Sequence, residues 1–313
     1  MNGVIKIGIV GCGHVGMATA SALFQAGTAS EIILVDRNEQ LAKGEAMDLM
    51  HGQGHAGRCK VRAGATKDLL GASYIVITAG VSQKAEETRI DLLNRNITIL
   101  KSLIQDLDEF SPEAIIILAT NPVDILTYAC QKLSQRPWQK IIGTGTMLDT
   151  SRFRAILGEY YAVDPKSVHA LVVGEHGDSE VLLWSSATIA GNRILNQYVL
   201  DQLISSEIMD KITVDVKNAA YQIIQKKGHT SWAIGLVISY LLKAIINDQK
   251  SIFPLSVRLE GEYGLENVCL GLPCVVAVTG VEKKVSLDLS AEELTALLSS
   301  AKKLQNLITQ LDL

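Results

Sequence analysis

This 313-residue chain has little of several features that mark specialised classes of protein. Apolar runs such as WAIGLVISYLL have the length of a buried helix and fall short of a membrane span. The net charge of −4 excludes broad electrostatic attraction to nucleic acid or to an anionic membrane surface. We therefore predict a globular protein with neither a nucleic-acid nor a membrane partner.

Cysteine is also sparse, and the histidines lack the spacing of a metal site. The five cysteines form no C-x-x-C pair, and their odd number does not suit a disulfide framework. We predict reduced thiols that pack as small apolar groups and no metal. The strand-like run VIKIGIV begins at residue 4 in place of a charged leader, so we predict no signal peptide and a cytoplasmic location. The histidines predicted to be solvated or to lie at helix ends are His14, His51, His55 and His229.

The first half of the sequence alternates short apolar runs with longer amphipathic ones. Near-continuous apolar strands that alternate with helices predict a parallel sheet covered on both faces. The predicted strands are 4–10, 31–36, 74–79, 114–120 and 140–145, and the predicted helices are about 15–26, 39–50, 90–109 and 122–134. None of the six prolines marks a hinge, so the chain is expected to pass between domains without a spacer.

The segment GIVGCGHVG places Gly11, Gly13 and Gly16 in the spacing G-x-G-x-x-G, between a predicted strand and a predicted helix. The first glycine permits a tight turn, the second lets the backbone approach a pyrophosphate, and the third lets the helix pack against the strand. Free N–H groups at the helix N-terminus then face phosphate oxygens. The motif favours dinucleotide binding over a glycine-rich turn without a ligand.

Asp36 ends the second strand, twenty residues after Gly16. A carboxylate at that position accepts hydrogen bonds from the ribose hydroxyls of NAD and repels the 2′-phosphate of NADP. The adjacent Arg37 argues in the other direction, because a basic residue there can help to accommodate the 2′-phosphate of NADP. NAD is therefore the favoured cofactor, and the alternative is that Asp36 is a surface residue.

Two loops that follow later strands border the predicted ligand crevice. In TAGVSQKAEETRIDLLNRN, a charged loop carries Gln83 near its tip and Arg89 at its far end, and its closure would exclude water from a substrate. A solvated loop is the equal alternative for Arg89. In ATNPVDI, Pro122 suits a first helical position, and Asn121 is both a helix-cap candidate and a crevice residue.

A third loop, VVGEHGDSE, follows an apolar run and holds one histidine between acids. His176 suits proton transfer near neutral pH, and Glu175 and Asp178 are its natural local partners. The alternative is an ordinary polar loop residue, and the local sequence does not decide between the two.

Together these motifs resemble the L-lactate/malate dehydrogenase family, and within it the L-lactate dehydrogenases. The matching stretches lie in order along nearly the whole chain: GIVGCGHVG, AGVSQKAEETRIDLLNRN, TNPVDILTY, IGTGTMLDTSRFR, VVGEHGDSE and KKGHTSWAIG. The resemblance implies an α/β fold with an N-terminal Rossmann domain at 1–145, a doubly wound parallel sheet that binds NAD. It implies a C-terminal α+β domain at 146–313 for catalysis and oligomerisation, and a homotetramer.

The resemblance also assigns roles to residues. It implies that His176 transfers the proton and that Asp149 is its carboxylate partner. Arg152 would bind the substrate carboxylate, and Arg89 would polarise the reacting carbonyl. The remaining substrate contacts would be Gln83, Asn121 and Thr230, and the cofactor contacts Gly11, Gly13, Val15, Gly16, Asp36, Arg37, Gly80 and Asn121.

The residue types in this set suit the interconversion of pyruvate and L-lactate. A histidine acts as base in one direction and as acid in the other, and a carboxylate stabilises its cationic form. A guanidinium grips the substrate carboxylate with two parallel hydrogen bonds, and a second one stabilises negative charge on the carbonyl oxygen.

Gln83 favours lactate over malate as the 2-hydroxy acid of the reaction. Family members that act on malate typically carry an arginine there, and a second carboxylate beside a neutral glutamine would lack its partner in a closed site. The loop also departs from the family pattern QKPGETR, since Ala85 and Glu86 replace proline and glycine while the length is kept. Two other functions stay open: an L-2-hydroxyacid dehydrogenase for larger 2-oxo acids, and a dinucleotide-binding protein that has lost its catalytic residues.

Arg154 and His169 match positions that bind fructose 1,6-bisphosphate in allosteric members of the family. The resemblance therefore implies this effector, and the alternative is a solvated helix residue beside an ordinary strand residue. We expect one strand both to carry His169 and to deliver His176 to the crevice.

Overall fold

A nine-stranded sheet organises the computed structural model, which describes residues 4–81 and 88–311. Its first six strands are parallel: β1 (Lys6–Val10), β2 (Glu31–Val35), β3 (Lys60–Ala63), β4 (Tyr74–Ile77), β5 (Ile115–Leu118) and β6 (Ile141–Gly143). The helices among them are α1 (His14–Ala26), α2 (Glu39–His51), α3 (Arg89–Phe110) and α4 (Val123–Leu133). These elements confirm the predicted doubly wound parallel sheet.

The strand order in this part of the sheet is β6-β5-β4-β1-β2-β3. The order reverses between β1 and β4, so the loops that leave the carboxyl ends of these strands separate and open a crevice there. Every residue of β4 and of β5 is buried, as expected for strands covered on both faces. The strands therefore deliver their following loops to one rim.

Strand β3 is absent from the sequence prediction, and its place in the sheet explains why. It lies at the edge of the parallel sheet, and of its four residues only Val61 is buried. An edge strand needs no continuous apolar run, so KVRA gives a weak signal. The other predicted strands and helices are confirmed, with ends that differ by a few residues.

The second half of the chain adds helices and mostly short antiparallel strands. The elements are α5 (Met147–Tyr161), β7 (Val168–His169), β8 (Val172–Val173), β9 (Val181–Leu182), β10 (Thr188–Ile189), β11 (Asn192–Arg193), α6 (Ser206–Lys227), α7 (Trp232–Ile246), β12 (Ile252–Glu260), β13 (Glu266–Ala277), β14 (Gly280–Lys284) and α8 (Ala291–Ile308). Strand β12 pairs antiparallel with β6, so β12, β13 and β14 extend the large sheet. The short strands form two small sheets, β11-β10-β7 and β8-β9.

One strand was expected to carry His169 and to lead to His176, and that expectation is wrong. His169 ends β7, which pairs with β10, whereas Val172 and Val173 form β8, which pairs with β9. The two strands belong to different sheets, and two residues separate them. The apolar run is therefore divided where the chain changes its pairing partner.

Helix α7 contains the run WAIGLVISYLL and packs against α1. A Cβ atom on Gly235 would lie 2.7 Å from the carbonyl carbon of Ala18, so glycine allows the two helices to approach closely. The opposite face of α7 exposes Trp232, Leu236 and Tyr240. The helix is thus buried on one side only, and no helix in the part of the chain that the structure describes is long and apolar enough to cross a membrane.

Candidate active site

The loop after β1 has two positions that accept only glycine. Gly11 has φ +105, and a Cβ there would lie 2.6 Å from the backbone nitrogen of Ala79. A Cβ on Gly16 would clash with the carbonyl oxygen of Gly11. A Cβ on Gly13, in contrast, would meet no atom within 4 Å, so this face of the loop is open. The backbone there leaves room for a ligand beside the first turn of α1, where Val15 is half-buried.

Asp36 joins the loops that follow β1 and β2. One carboxylate oxygen accepts a hydrogen bond from the Cys12 N–H at 2.7 Å, and the other accepts one from the Asn38 N–H at 2.8 Å. Arg37 is exposed beside it. The carboxylate is therefore fixed at the rim of the crevice, next to the glycine loop.

The loop after β4 begins against the one that follows β5. A Cβ on Gly80 would lie 2.5 Å from Cγ2 of Thr120, so the two loops pack closely. The N–H of Val81 donates to Oδ1 of Asn96 at 3.0 Å, and the structure then describes no residue until Thr88. Gln83, Ala85 and Glu86 lie outside the described residues.

Arg89 is the first residue of α3, and the side chain of Thr88 caps this helix by accepting from the Asp91 N–H at 3.1 Å. The capping box places the backbone of Arg89 at the end of the crevice loop. Its side chain lies outside the described part of the structure, so its predicted contact with the carbonyl stays a prediction.

Asn121 does not cap α4, and that prediction is wrong. Pro122 occupies the cap position with extended backbone, and no side-chain hydrogen bond caps this helix. The helix therefore begins at Val123, one residue later than predicted. Asn121 is exposed at the end of the β5 loop, and the Asn121–Pro122 peptide bond is cis.

The folded chain brings His176 and Asp149 together from different segments. Asp149 lies in the first turn of α5 with 1% of its side chain exposed. One of its oxygens lies 2.6 Å from Nδ1 of His176, and the other accepts from Nη1 of Arg152 at 2.7 Å. Arg152 follows Asp149 by one helical turn, so α5 supplies both the carboxylate and the guanidinium, and the loop after β8 supplies the imidazole.

Burial and charge act in opposite directions on this pair. Burial lowers the pKa of the imidazole, but the Asp149 carboxylate outweighs it and raises the pKa of His176 to about 9. Burial raises the pKa of Asp149, but the imidazole and Arg152 together hold it below its usual value. His176 therefore carries a proton at neutral pH, and Asp149 stays ionised beside it.

The acids next to His176 in sequence contact other groups. Glu175 accepts a hydrogen bond from Oγ of Ser179. Asp178 accepts one from the hydroxyl of Tyr221 at 3.0 Å. Neither acid is the hydrogen-bond partner of the His176 ring. That partner is Asp149, which lies 27 residues earlier in the sequence.

Asp124 supports the histidine loop, and the sequence prediction missed it. Its carboxylate accepts from the backbone N–H of His176 at 2.8 Å and from the hydroxyl of Ser256 at 2.6 Å. Burial raises its pKa to about 6, although both hydrogen bonds oppose that change. The sequence contained one signal for this role, since Asp124 is the one carboxylate in the segment VDILTYAC, which is buried throughout. A buried carboxylate needs hydrogen-bond partners.

Thr230 comes close to the glycine loop through the packing of α7 on α1. The residue before it, His229, stacks its ring on that of His14 with centroids 3.7 Å apart and planes 8° from parallel. His14 begins α1, as a helix-end histidine was expected to do, but His229 is half-buried in this stack. Thr230 follows His229 directly, so the stack holds the chain at Thr230 near the first turn of α1, and its predicted substrate contact stays a prediction.

Arg154 on α5 lies beside the end of β7, the strand that carries His169. Nε of Arg154 donates to the carbonyl oxygen of Ala170 at 2.8 Å, directly next to His169. Burial lowers the pKa of Arg154, and His169 is exposed. The guanidinium is therefore held against the end of β7.

Within residues 4–81 and 88–311, no group of three or more histidine, cysteine or acidic side chains is arranged to hold a metal ion. All five cysteines are buried and free, as predicted. Burial raises the pKa of Cys12 in the glycine loop to about 12, so this thiol stays protonated.

Comparison with known proteins matches both halves of the chain to one family. Residues 5–143 match the lactate/malate dehydrogenase NAD binding domain, and residues 146–312 match the lactate/malate dehydrogenase alpha/beta C-terminal domain. An L-lactate dehydrogenase of Salinibacter ruber is 51% identical and covers 96% of this chain and 95% of its own. L-lactate dehydrogenase 1 of Clostridium acetobutylicum is 43% identical, with 96% of each chain covered.

Solved structures give the same result at the level of the fold. The ligand-bound crystal structure of a minor L-lactate dehydrogenase from Enterococcus mundtii superposes with a TM-score of 0.94 at 37% identity. The match covers 97% of this chain and 98% of that one. The likeness therefore extends over both halves of the sequence.

Proposed function

The chain belongs to the lactate/malate dehydrogenase family and has its NAD-binding domain, and from that premise we propose that it is an NAD-dependent L-lactate dehydrogenase. The reaction is a reversible hydride transfer between NADH and pyruvate. The observation that carries the proposal is one buried carboxylate, Asp149, which contacts both His176 and Arg152. L-lactate dehydrogenases from other organisms that are similar along almost their whole length support it.

The proposed proton carrier is His176. Asp149 engages Nδ1, so Nε2 is the ring atom that exchanges a proton with the substrate oxygen. In pyruvate reduction the imidazolium donates this proton, and in lactate oxidation the neutral ring accepts it. Asp149 orients the ring and stabilises its charged form. Bound NAD supplies the hydride chemistry.

The residues that would hold the cofactor fit its chemical groups. The open face at Gly13 and the first turn of α1 suit a pyrophosphate. The fixed carboxylate of Asp36 suits ribose hydroxyls. The proposed contacts also include Gly11, Val15, Gly16, Arg37, Gly80 and Asn121.

The substrate contacts that we propose beside His176 come from several segments of the chain. Arg152 binds the carboxylate of the 2-oxo acid, since a guanidinium one turn from Asp149 keeps a fixed orientation relative to the ring. Arg89 polarises the carbonyl and would stabilise charge on its oxygen. Asn121 and Thr230 line the remaining sides. This arrangement disfavours a dinucleotide-binding protein that has lost catalysis, because the His176–Asp149 pair is intact.

Substrate choice is proposed to depend on Gln83, whose neutral amide favours pyruvate over a dicarboxylate. The test measures the absorbance decay of NADH with pyruvate, oxaloacetate and longer 2-oxo acids. A kcat/KM that is highest for pyruvate supports the proposal. A higher value for a longer 2-oxo acid would favour the alternative, an L-2-hydroxyacid dehydrogenase for larger side chains.

We expect Gln83→Arg to move the preference towards oxaloacetate, because the new guanidinium pairs with its second carboxylate. The ratio of kcat/KM for oxaloacetate to that for pyruvate is expected to rise by about tenfold or more. Gln83→Leu is the matched control, since it changes size and polarity without adding charge. A ratio that stays unchanged in Gln83→Arg would sink the idea.

We also propose a homotetramer, a cytoplasmic location, and the division into domains at 1–145 and 146–313. The apolar face of α7 that exposes Trp232, Leu236 and Tyr240 supports subunit contact. Fructose 1,6-bisphosphate is the proposed effector of Arg154 and His169, since a guanidinium held next to the residue after an exposed imidazole offers hydrogen-bond donors to a phosphate. Pyruvate saturation curves and sedimentation, each with and without the bisphosphate, test both proposals.

A further inference from the structure

Glu180 is a buried carboxyl beside the His176–Asp149 pair that no role accounts for. It lies four residues after His176 and directly before β9, and it is 4% exposed. Its Oε1 atom has no hydrogen-bond partner among the described residues. A carboxyl in such a place is costly to ionise, because burial removes water and nothing replaces it at that oxygen.

The charged groups that face Glu180 come from two helices and from its own loop. Asp149 on α5 repels a negative charge there, whereas His176, Lys217 on α6 and Arg152 favour it. Burial is the largest effect, and the pKa of Glu180 rises to about 8. The carboxyl group of Glu180 is therefore protonated at pH 7, and it ionises at mildly alkaline pH.

Glu180 also acts on His176. The groups that favour a charged imidazole are Asp149, Asp124 and Glu180, in that order. The first two are fixed by hydrogen bonds, to Nδ1 and to the backbone N–H of His176 respectively. Burial raises the pKa of Asp124 to about 6 and that of Glu180 to about 8, so Glu180 is the member of this group whose charge changes above neutral pH.

We propose that Glu180, whose carboxyl group is buried with one unpartnered oxygen, is a positioning residue for His176 and that it stabilises the His176 imidazolium when it ionises. A neutral Glu180 lets the ring release its proton more easily than a carboxylate at the same place would. An ionised Glu180 keeps the ring protonated to higher pH. Its kinetic consequence rests on the proposed dehydrogenase function, whereas the titration of the ring does not.

The variant Glu180→Gln tests this, because it is permanently neutral and of equal size. With ¹³C-labelled histidine, NMR follows the His176 ring, and His176→Asn assigns its signal. We expect the titration midpoint of His176 to fall by about half a pH unit or more in Glu180→Gln. The alkaline limb of kcat/KM for pyruvate is expected to move to lower pH by the same amount.

Asp178→Asn is the matched control, since it removes one negative charge from the same loop, two residues from His176. Asp178 is exposed, so solvent screens it and the His176 midpoint is expected to shift by less than about 0.2 units. An unchanged midpoint in Glu180→Gln overturns the proposal. So does an equal shift in Asp178→Asn, which would show that position within the loop matters and burial does not.

Stability gives a second readout that needs no turnover. The folded pKa of about 8 exceeds the ordinary 4.5, so the stability from protonated Glu180 is complete below pH 4.5 and is lost as the pH rises to about 8. The free energy of unfolding of Glu180→Gln relative to the natural chain is expected to rise steadily from pH 5 to pH 8. A constant difference would contradict the proposal, and Glu180→Met repeats the test if the amide variant does not fold.

The two proposals fail in different ways. If the protein reduces no 2-oxo acid but Glu180→Gln shifts the His176 midpoint, the proposed function fails and Glu180 keeps its assigned role. If the protein reduces pyruvate but the midpoint does not move, the role of Glu180 fails and the proposed function stands.

Discussion

The two sides of the crevice are built in different ways. The centre of the cofactor side, the glycine loop, is one continuous segment whose shape is fixed by backbone conformation at Gly11 and close packing at Gly16. The catalytic side is assembled from distant segments: His176 meets Asp149 at a separation of 27 residues and Asp124 at 52, and the next residue back, Glu175, meets Ser300 at 125. A local motif thus encodes one side, and tertiary packing encodes the other.

The difference predicts how each side responds to damage. A change in the glycine loop alters the shape of the backbone, so both binding and folding are affected. A substitution around His176 removes one of several long-range contacts, so the catalytic rate is expected to fall while the sheet stays folded. The following variants separate these responses, from the largest expected effect to the smallest.

Asp149→Asn is expected to cause the largest loss of activity. The amide removes the charge that stabilises the imidazolium, and it no longer holds the His176 ring in one tautomer. We therefore expect kcat for pyruvate reduction to fall by about 10³-fold. NADH affinity, measured by fluorescence, is expected to stay near its original value. Asp178→Asn is the control, and an equal loss of kcat there would show that Asp149 has no special role.

Gly16→Ala is expected to damage both the cofactor site and the fold. The added methyl clashes with the carbonyl oxygen of Gly11, so the free energy of unfolding falls by about 1–3 kcal/mol and NADH affinity falls with it. Gly13→Ala is the matched control, because its methyl meets open space within the protein. Gly13→Ala is expected to weaken NADH binding without loss of stability, and equal destabilisation of the two variants would contradict this account.

Asp124→Asn is expected to have the smallest effect of the three. The amide retains one acceptor and loses the charge that strengthens its hydrogen bond to the His176 N–H, worth about 1–2 kcal/mol. We expect kcat/KM for pyruvate to fall by about tenfold. Ser256→Ala removes the other hydrogen bond to the same carboxylate, and a larger loss of kcat/KM in that variant would shift the supporting role away from the histidine loop.

The same contrast explains what the sequence predicts. The parallel sheet and the glycine loop follow from local pattern, because strand burial and turn geometry leave their mark on consecutive residues. Strand β3 leaves no such mark, since an edge strand is only half covered. The cap at Asn121 fails because the cap falls on Pro122, one position later than the preference for proline at N1 suggested.

The catalytic side was predicted through family resemblance and not through spacing. Nothing local links His176 to Asp149, and the nearby acids Glu175 and Asp178 were the more natural choice. Asp124 and Glu180 were missed because their importance comes from burial, which the tertiary fold creates. The predicted contacts of Gln83 and Arg89 with a substrate stay predictions.

The pH dependence of kcat/KM for pyruvate at saturating NADH tests the central claim most directly. Burial lowers the pKa of His176, but Asp149, aided by Asp124 and Glu180, raises it to about 9. Reduction is therefore expected to proceed at neutral pH and to fall as the pH rises past about 9, when the proton donor is lost. In Asp149→Asn the remaining activity is expected to fall at lower pH. Pyruvate reduction that is absent, or whose alkaline limit does not depend on Asp149, would contradict the assignment of His176 and Asp149 as the proton-transfer pair.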